Sequence, residues 1–151
     1  MKRFFTILLF IVLLLPSINI VHANPSQPDV QIVATEDGGY IVIELYNSSN
    51  IARATLTKTR SYTRYDVDNN ALWKASITGS FTYDGRTASC TSSSCNVTIY
   101  DSAWYTISKT AWTSENFAKA TVEMGQKMLG VTVRRETYDL SILCDRYGNV
   151  S

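Results

Sequence analysis

Histidine is all but missing: the chain of 151 residues has one, His22, close to its start. Beyond it there is no imidazole, so His-based triads, Cys–His dyads and His-ligated zinc lack their raw material. Proline is scarce too. Pro16, Pro25 and Pro28 are the three present, and none follows position 28. Strand ladders need every backbone N–H, so a proline-free stretch this long suits extended strands. Cysteine is limited to Cys90, Cys95 and Cys144, an odd count that leaves one thiol over if two pair. An excess of charge is also lacking. The formal net charge of +1 gives no electrostatic case for nucleic acid or anionic lipid as a partner.

Long hydrophobic runs are missing except at the start. Lys2 and Arg3 precede an apolar stretch over residues 4–15, broken only by Thr6 and closed by Pro16 and Ser17. A spanning helix needs roughly 20 apolar residues, and this run is shorter. With Val21-His22-Ala23 offering small residues at a cleavage point, the pattern predicts a cleavable secretory signal over residues 1–23. The expected location is extracellular, with no stable membrane span after cleavage. What remains is about 130 residues, the size of one domain. It loses two basic residues and no acidic one, so its charge turns slightly negative. Residues 24–35, with Pro25 and Pro28, read as a flexible lead-in. Residues 36–151 read as a single β domain.

What is present in that domain is alternation. Trp73, Ala75, Ile77, Gly79, Phe81 and Tyr83 share one parity, with Lys74, Ser76, Thr78, Ser80 and Thr82 on the other. That is a strand with one face buried. Asp84-Gly85 after it predicts a type I′ hairpin turn. Residues 40–46 form a β-rich run after Gly38-Gly39. Residues 52–65 alternate threonines (Thr55, Thr57, Thr59) with Leu56, Lys58, Arg60 and Tyr62. Residues 96–100 and 104–112 read as further extended segments. Residues 114–128 contain good helix formers, but Ala118, Ala120, Val122 and Met124 keep strand parity, and strand is favoured. In the last segment Val131 and Val133 are odd while Tyr138, Leu140, Ile142 and Cys144 are even. That slip predicts a bulge near residues 135–137. Together these features predict an all-β fold: an antiparallel β-sandwich or partly open barrel of about six to eight strands.

Chemistry-bearing motifs are few. Cys90 and Cys95 flank Thr91-Ser92-Ser93-Ser94 and are the candidate disulfide, pinning a short loop. The alternative joins either one to Cys144. Three thiolates with no fourth ligand match no closed zinc site, and no motif asks for a cofactor. Asp66 and Asp68 in one turn, and Glu136 and Asp139 on one strand, are the carboxylates a hydrolase could pair. Oxygen-rich Asp66-Val67-Asp68-Asn69-Asn70 could hold calcium, though an Asx-rich turn explains it as well. No Ser-x-x-Lys or Gly-x-Ser-x-Gly pattern occurs. Tyr100, Trp104, Tyr105 and Trp112 are the candidate binding residues. Aromatics in an exported β domain can carry sugar rings or a protein partner, and they can equally fill a core. Tyr62, Tyr65, Arg60 and Arg64 make a second patch of the same ambiguity.

The series Ala75-Ser76-Ile77-Thr78-Gly79-Ser80-Phe81-Thr82-Tyr83-Asp84-Gly85, with Ala88-Ser89-Cys90-Thr91-Ser92-Ser93-Ser94-Cys95, resembles a family of small exported Firmicutes proteins, mainly clostridial. Ser102-Ala103-Trp104, Gly130-Val131-Thr132-Val133 and the ending Leu143-Cys144-Asp145-Arg146-Tyr147-Gly148-Asn149-Val150-Ser151 belong to the same resemblance, which covers roughly residues 52–151. The family is a domain of unknown function, so it implies export and a β-rich fold but supplies no catalytic residues. The expected function is a non-enzymatic binding or interaction module at or outside the cell surface, with a surface glycan or protein as partner. The alternative is a small extracellular hydrolase using paired carboxylates.

Overall fold

The computed structural model describes residues 29–47 and 55–151. The expected signal over residues 1–23, and residues 24–28 of the lead-in, lie outside the described residues. Eight antiparallel strands form two sheets: β1 (Asp29–Ala34), β2 (Tyr40–Asn47), β3 (Thr55–Tyr65), β4 (Ala71–Tyr83), β5 (Ala88–Ile99), β6 (Trp104–Ser114), β7 (Phe117–Met128) and β8 (Val131–Leu143). The first sheet runs β1-β2-β3-β4-β5 and the second β6-β7-β8, each strand beside its neighbour in sequence. The sheets are not closed into a barrel, so the fold is a β-sandwich. Among the described residues there is no helix. β1 corrects the expected lead-in: residues 29–34 pair fully with β2, Val33 opposite Ile41 and Gln31 opposite Ile43. Those ladder bonds outweigh the local looseness that Pro25 and Pro28 suggested.

The core sits where β4 faces β7 and β8. Trp73, Ala75, Ile77 and Phe81 meet Ala118, Ala120, Val122, Met124, Leu140, Ile142 and Cys144, all buried. The parity of residues 117–128 thus does define a strand. Gly79 lets the sheets approach: a Cβ there would come within 2.6 Å of the Ala118 Cβ. On the opposite face of the first sheet, hydroxyls form a cross-strand ladder. Thr57 meets Ser80 at 3.0 Å, Thr59 meets Thr78 at 2.8 Å, and Ser61 meets Ser76 at 2.9 Å. The threonine parity of β3 is what builds it.

Three local expectations change. The Cys90–Cys95 segment is not a loop. It lies inside β5, paired with β4 (Phe81 with Cys90, Ile77 with Cys95), and a register shift falls at Thr91. The polar run forms part of an edge strand, where serine and threonine can face water. The Asp84-Gly85 hairpin is not type I′, since only Gly85 takes a positive φ, 84°. Asp84 instead accepts bonds from the Arg86 and Thr87 amides at 2.9 and 2.8 Å. The bulge of β8 lies nearer the hairpin tip than expected: Gln126 pairs with Arg134 and Lys127 with Thr132, leaving Val133 over. Charged residues take inward positions after it, which parity counting of apolar residues cannot see.

Candidate functional site

The four candidate aromatics do not form one cluster. Trp104 is a core residue, 3% exposed, its ring centroid 6.4 Å from that of Trp73. Tyr100 is exposed on the β5–β6 connection, where its amide donates to the Leu72 carbonyl at 2.9 Å. Tyr105 and Trp112 share the outer face of the second sheet but stand at opposite ends of β6. Their partners across the ladder are Gly125 and Lys119, which alternate with the buried Met124, Ala120 and Ala118. The spacing between them is on the order of 20 Å at about 3.4 Å per extended residue.

Trp112 is 42% exposed and borders a hollow of about 310 Å³ lined by Lys119, Ala120, Asp139, Leu140 and Ser141. β6, β7 and β8 place Trp112, Lys119 and Ser141 in one row, because Trp112 pairs with Lys119 and Lys119 with Ser141. Asp139 is one outward position along β8, and the Thr121 hydroxyl donates to its carboxylate at 2.6 Å. The site therefore offers an apolar ring face, a fixed carboxylate and a hydroxyl on an open sheet, with the stem of Lys119 alongside and its ammonium 5.1 Å from the Phe117 ring centroid. Sequence reasoning missed Lys119 and Ser141. Their outward parity was legible, but their position beside Trp112 depends on strand register.

At the opposite end, Tyr105 lies flat over Gly125. A Cβ on Gly125 would come within 2.7 Å of the Tyr105 hydroxyl, so only glycine admits the ring. Its hydroxyl is 2.8 Å from Thr132 Oγ1, and the Lys127 ammonium sits 4.4 Å from the ring centroid.

The candidate carboxylate pairs separate. Glu136 and Asp139 are three residues apart on one strand, which sends them to opposite faces. Asp66 caps its own turn, accepting from the Asp68 and Asn70 amides at 2.9 and 2.8 Å and from the Asn70 side chain at 3.0 Å. The hydrogen bonds from Asn70 hold its carboxyl below the usual range. The calcium reading of this turn thus gives way to an Asx turn, and no group of three metal-ligating side chains occurs among the described residues.

The sandwich instead assembles a charged network the sequence did not disclose. Arg64 is fully buried, and its Nη2 meets both oxygens of Asp37 at 2.6 Å. Asp37 also receives Arg134 Nη1 at 2.6 Å, and Arg134 Nη2 reaches Glu136 at 2.5 Å. Tyr138 donates to Glu136 and packs its ring 4.9 Å from that of Trp73. Burial acts to raise the Asp37 carboxyl. Hydrogen bonds from Thr35, Arg134, Arg64 and the Gly39 amide outweigh it and hold the group well below the usual carboxylate range. Burial, and then the bond to Glu136, push the Tyr138 phenol well above its ordinary value. Asp37 and Glu136 are thus engaged with arginine. The contacts span 27 and 97 positions in the chain, so no local pattern signals them.

Cys90 and Cys95 cannot bridge. They lie five residues apart in one extended strand, about 15 Å by strand rise, and a disulfide needs Cα atoms within roughly 7 Å. All three thiols are free. Burial pushes each of them up from the ordinary thiol value, which favours the thiol over the reactive thiolate. Comparison with known proteins finds no family model, no curated protein and no solved structure that matches this chain.

Proposed function

We propose that this chain is an exported, non-enzymatic binding module that takes a surface glycan on the outer face of its second sheet. The export signal and the resemblance to small exported Firmicutes proteins supply the setting. The observation that carries the reading is Trp112: a half-exposed indole beside the 310 Å³ hollow, with Lys119, Asp139 and Ser141 around it. A sugar ring presents C–H groups on one face and hydroxyls at its edge. An indole beside the Asp139 carboxylate, with Lys119 able to swing from the Phe117 ring to a ligand's edge, matches both, the ring face by apolar contact and the edge by charge-assisted hydrogen bonds. A pre-formed strand platform also limits the ordering cost on binding.

The paired-carboxylate hydrolase finds less support. An acid–base pair needs two carboxyls whose values are split across a cleft. Asp37 is held as an anion by two arginines and accepts no proton near neutral pH. The test is a cell-wall and glycan panel read by affinity electrophoresis or calorimetry. Wild type is retained by one or more polysaccharides, and Trp112→Ala loses at least tenfold in affinity with an unchanged far-ultraviolet spectrum. Equal retention of the two proteins would refute the platform.

A further inference from the structure

The β7–β8 hairpin ends in an apolar tip. Met128 is 64% exposed, Leu129 99%, Val131 65% and Val133 54%. No other described turn gathers so many exposed apolar side chains. Leu129 moreover takes a positive φ of 51°, ahead of Gly130 at 81°. Two left-handed residues in a row define the tight turn that asparagine or glycine normally opens. A leucine there carries backbone strain and buries nothing, so neither folding nor packing accounts for it.

Cations stand at the base of this tip, Lys127 and Arg135 on the outer face of the sheet and Arg134 on the inner one. From Gly125 to Arg135 the chain has Lys127, Arg134 and Arg135 and no acidic residue. Arg134 is occupied by Asp37 and Glu136, whereas the Arg135 side chain is 65% exposed, its one acidic contact being Glu123 at 3.3 Å. Tyr105 anchors the same level, joined to Thr132 and lying under Lys127. The Lys127–Thr132 pair lies about two residues, roughly 7 Å, below the turn. That is the depth of the boundary between headgroups and acyl chains, where tyrosine and lysine are favoured and turn amides still reach water.

We infer that the β7–β8 tip is a membrane-docking loop: Met128, Leu129 and Val131 insert shallowly into a bilayer, with Lys127 and Arg135 at anionic headgroups. The shape favours lipid over a protein partner. The tip is convex and meets its target end-on, with Lys127 and Arg135 at its base on the face that carries Tyr105. This surface is separate from the Trp112 hollow and does not depend on the glycan reading.

The test is co-sedimentation of the exported protein with phosphatidylcholine vesicles containing about one third phosphatidylglycerol, and with phosphatidylcholine alone. Wild type binds the anionic vesicles and binds the neutral ones at least tenfold more weakly. Leu129→Gly relieves the left-handed strain, so it unfolds at higher urea than wild type and yet loses at least tenfold in vesicle binding. Met128→Ser weakens binding while leaving the urea midpoint in place. All the proteins share one N-terminal segment, so its contribution cancels. Vesicle binding equal in wild type and Leu129→Gly overturns the inference. Absence of binding by wild type does too, including the case where the tip captures a protein instead.

Discussion

Replacing Asp37 by asparagine tests the charged network most directly. The side chain keeps its shape but loses its charge and one of its two acceptor oxygens, leaving the Arg64 cation without its anionic partner and with only neutral acceptors such as the Tyr65 carbonyl. Arg64 is fully buried and its Nε already lacks a partner. Removing one partner of a buried ion pair costs about 3–5 kcal/mol. Asp37 itself is 40% exposed, so water screens part of the charge, and the expected loss falls to about 2–3 kcal/mol. That corresponds to a melting temperature lower by on the order of 8 °C. Urea unfolding followed by tryptophan fluorescence reads it. The pH dependence adds a second arm. The Asp37 carboxyl is held lower in the folded state than in the unfolded chain. Its contribution is therefore complete above the unfolded value, about 4, and fades as pH falls below it. The gap between wild type and Asp37→Asn should be widest near pH 7 and shrink by pH 3. A loss under 0.5 kcal/mol at pH 7, or a gap unchanged at pH 3, would refute the claim that the ion pair carries this part of the fold.

Gly79→Ala should destabilise the sandwich by about 1–3 kcal/mol, because its methyl would press on Ala118 across the core; urea midpoints check it. Alkylation under denaturing conditions without reductant should modify all three cysteines, read by intact mass, and a disulfide mapped between Cys90 and Cys95 would contradict their placement in one strand. In the native state Cys144, fully buried, should react far more slowly than Cys90 or Cys95, and thiol reaction rates should still be rising above pH 9 because burial lifts their values. Gly125→Ala should displace the Tyr105 ring and lower stability, with a change in tyrosine near-ultraviolet dichroism as its signature.

Alternating side chains disclosed the all-β class and the inward face of β4 and β7, because strand parity is a local property with a period of two. The same rule shows that Glu136 and Asp139 cannot work together, three steps apart on β8. It fails at the first half of β8, where Arg134 and Glu136 sit inward because Arg134 meets Asp37 of the β1–β2 turn, far away in the chain. It fails again at Thr91, Ser92, Ser93 and Ser94, a run whose turn-like composition yields to the hydrogen bonds offered by β4. Trp112 could be named from the sequence, but the hollow beside it could not. Lys119, Asp139 and Ser141 reach it only through the register of β6, β7 and β8. The sequence by itself determined which residues turn toward oil and which toward water along each strand. Only the tertiary structure decided which strands lie side by side, and with that the ion pair of Asp37 and Arg64, the hollow at Trp112 and the exposed tip at Leu129. Burial preference is carried by each residue alone, whereas register and charge pairing exist only between segments far apart in the chain.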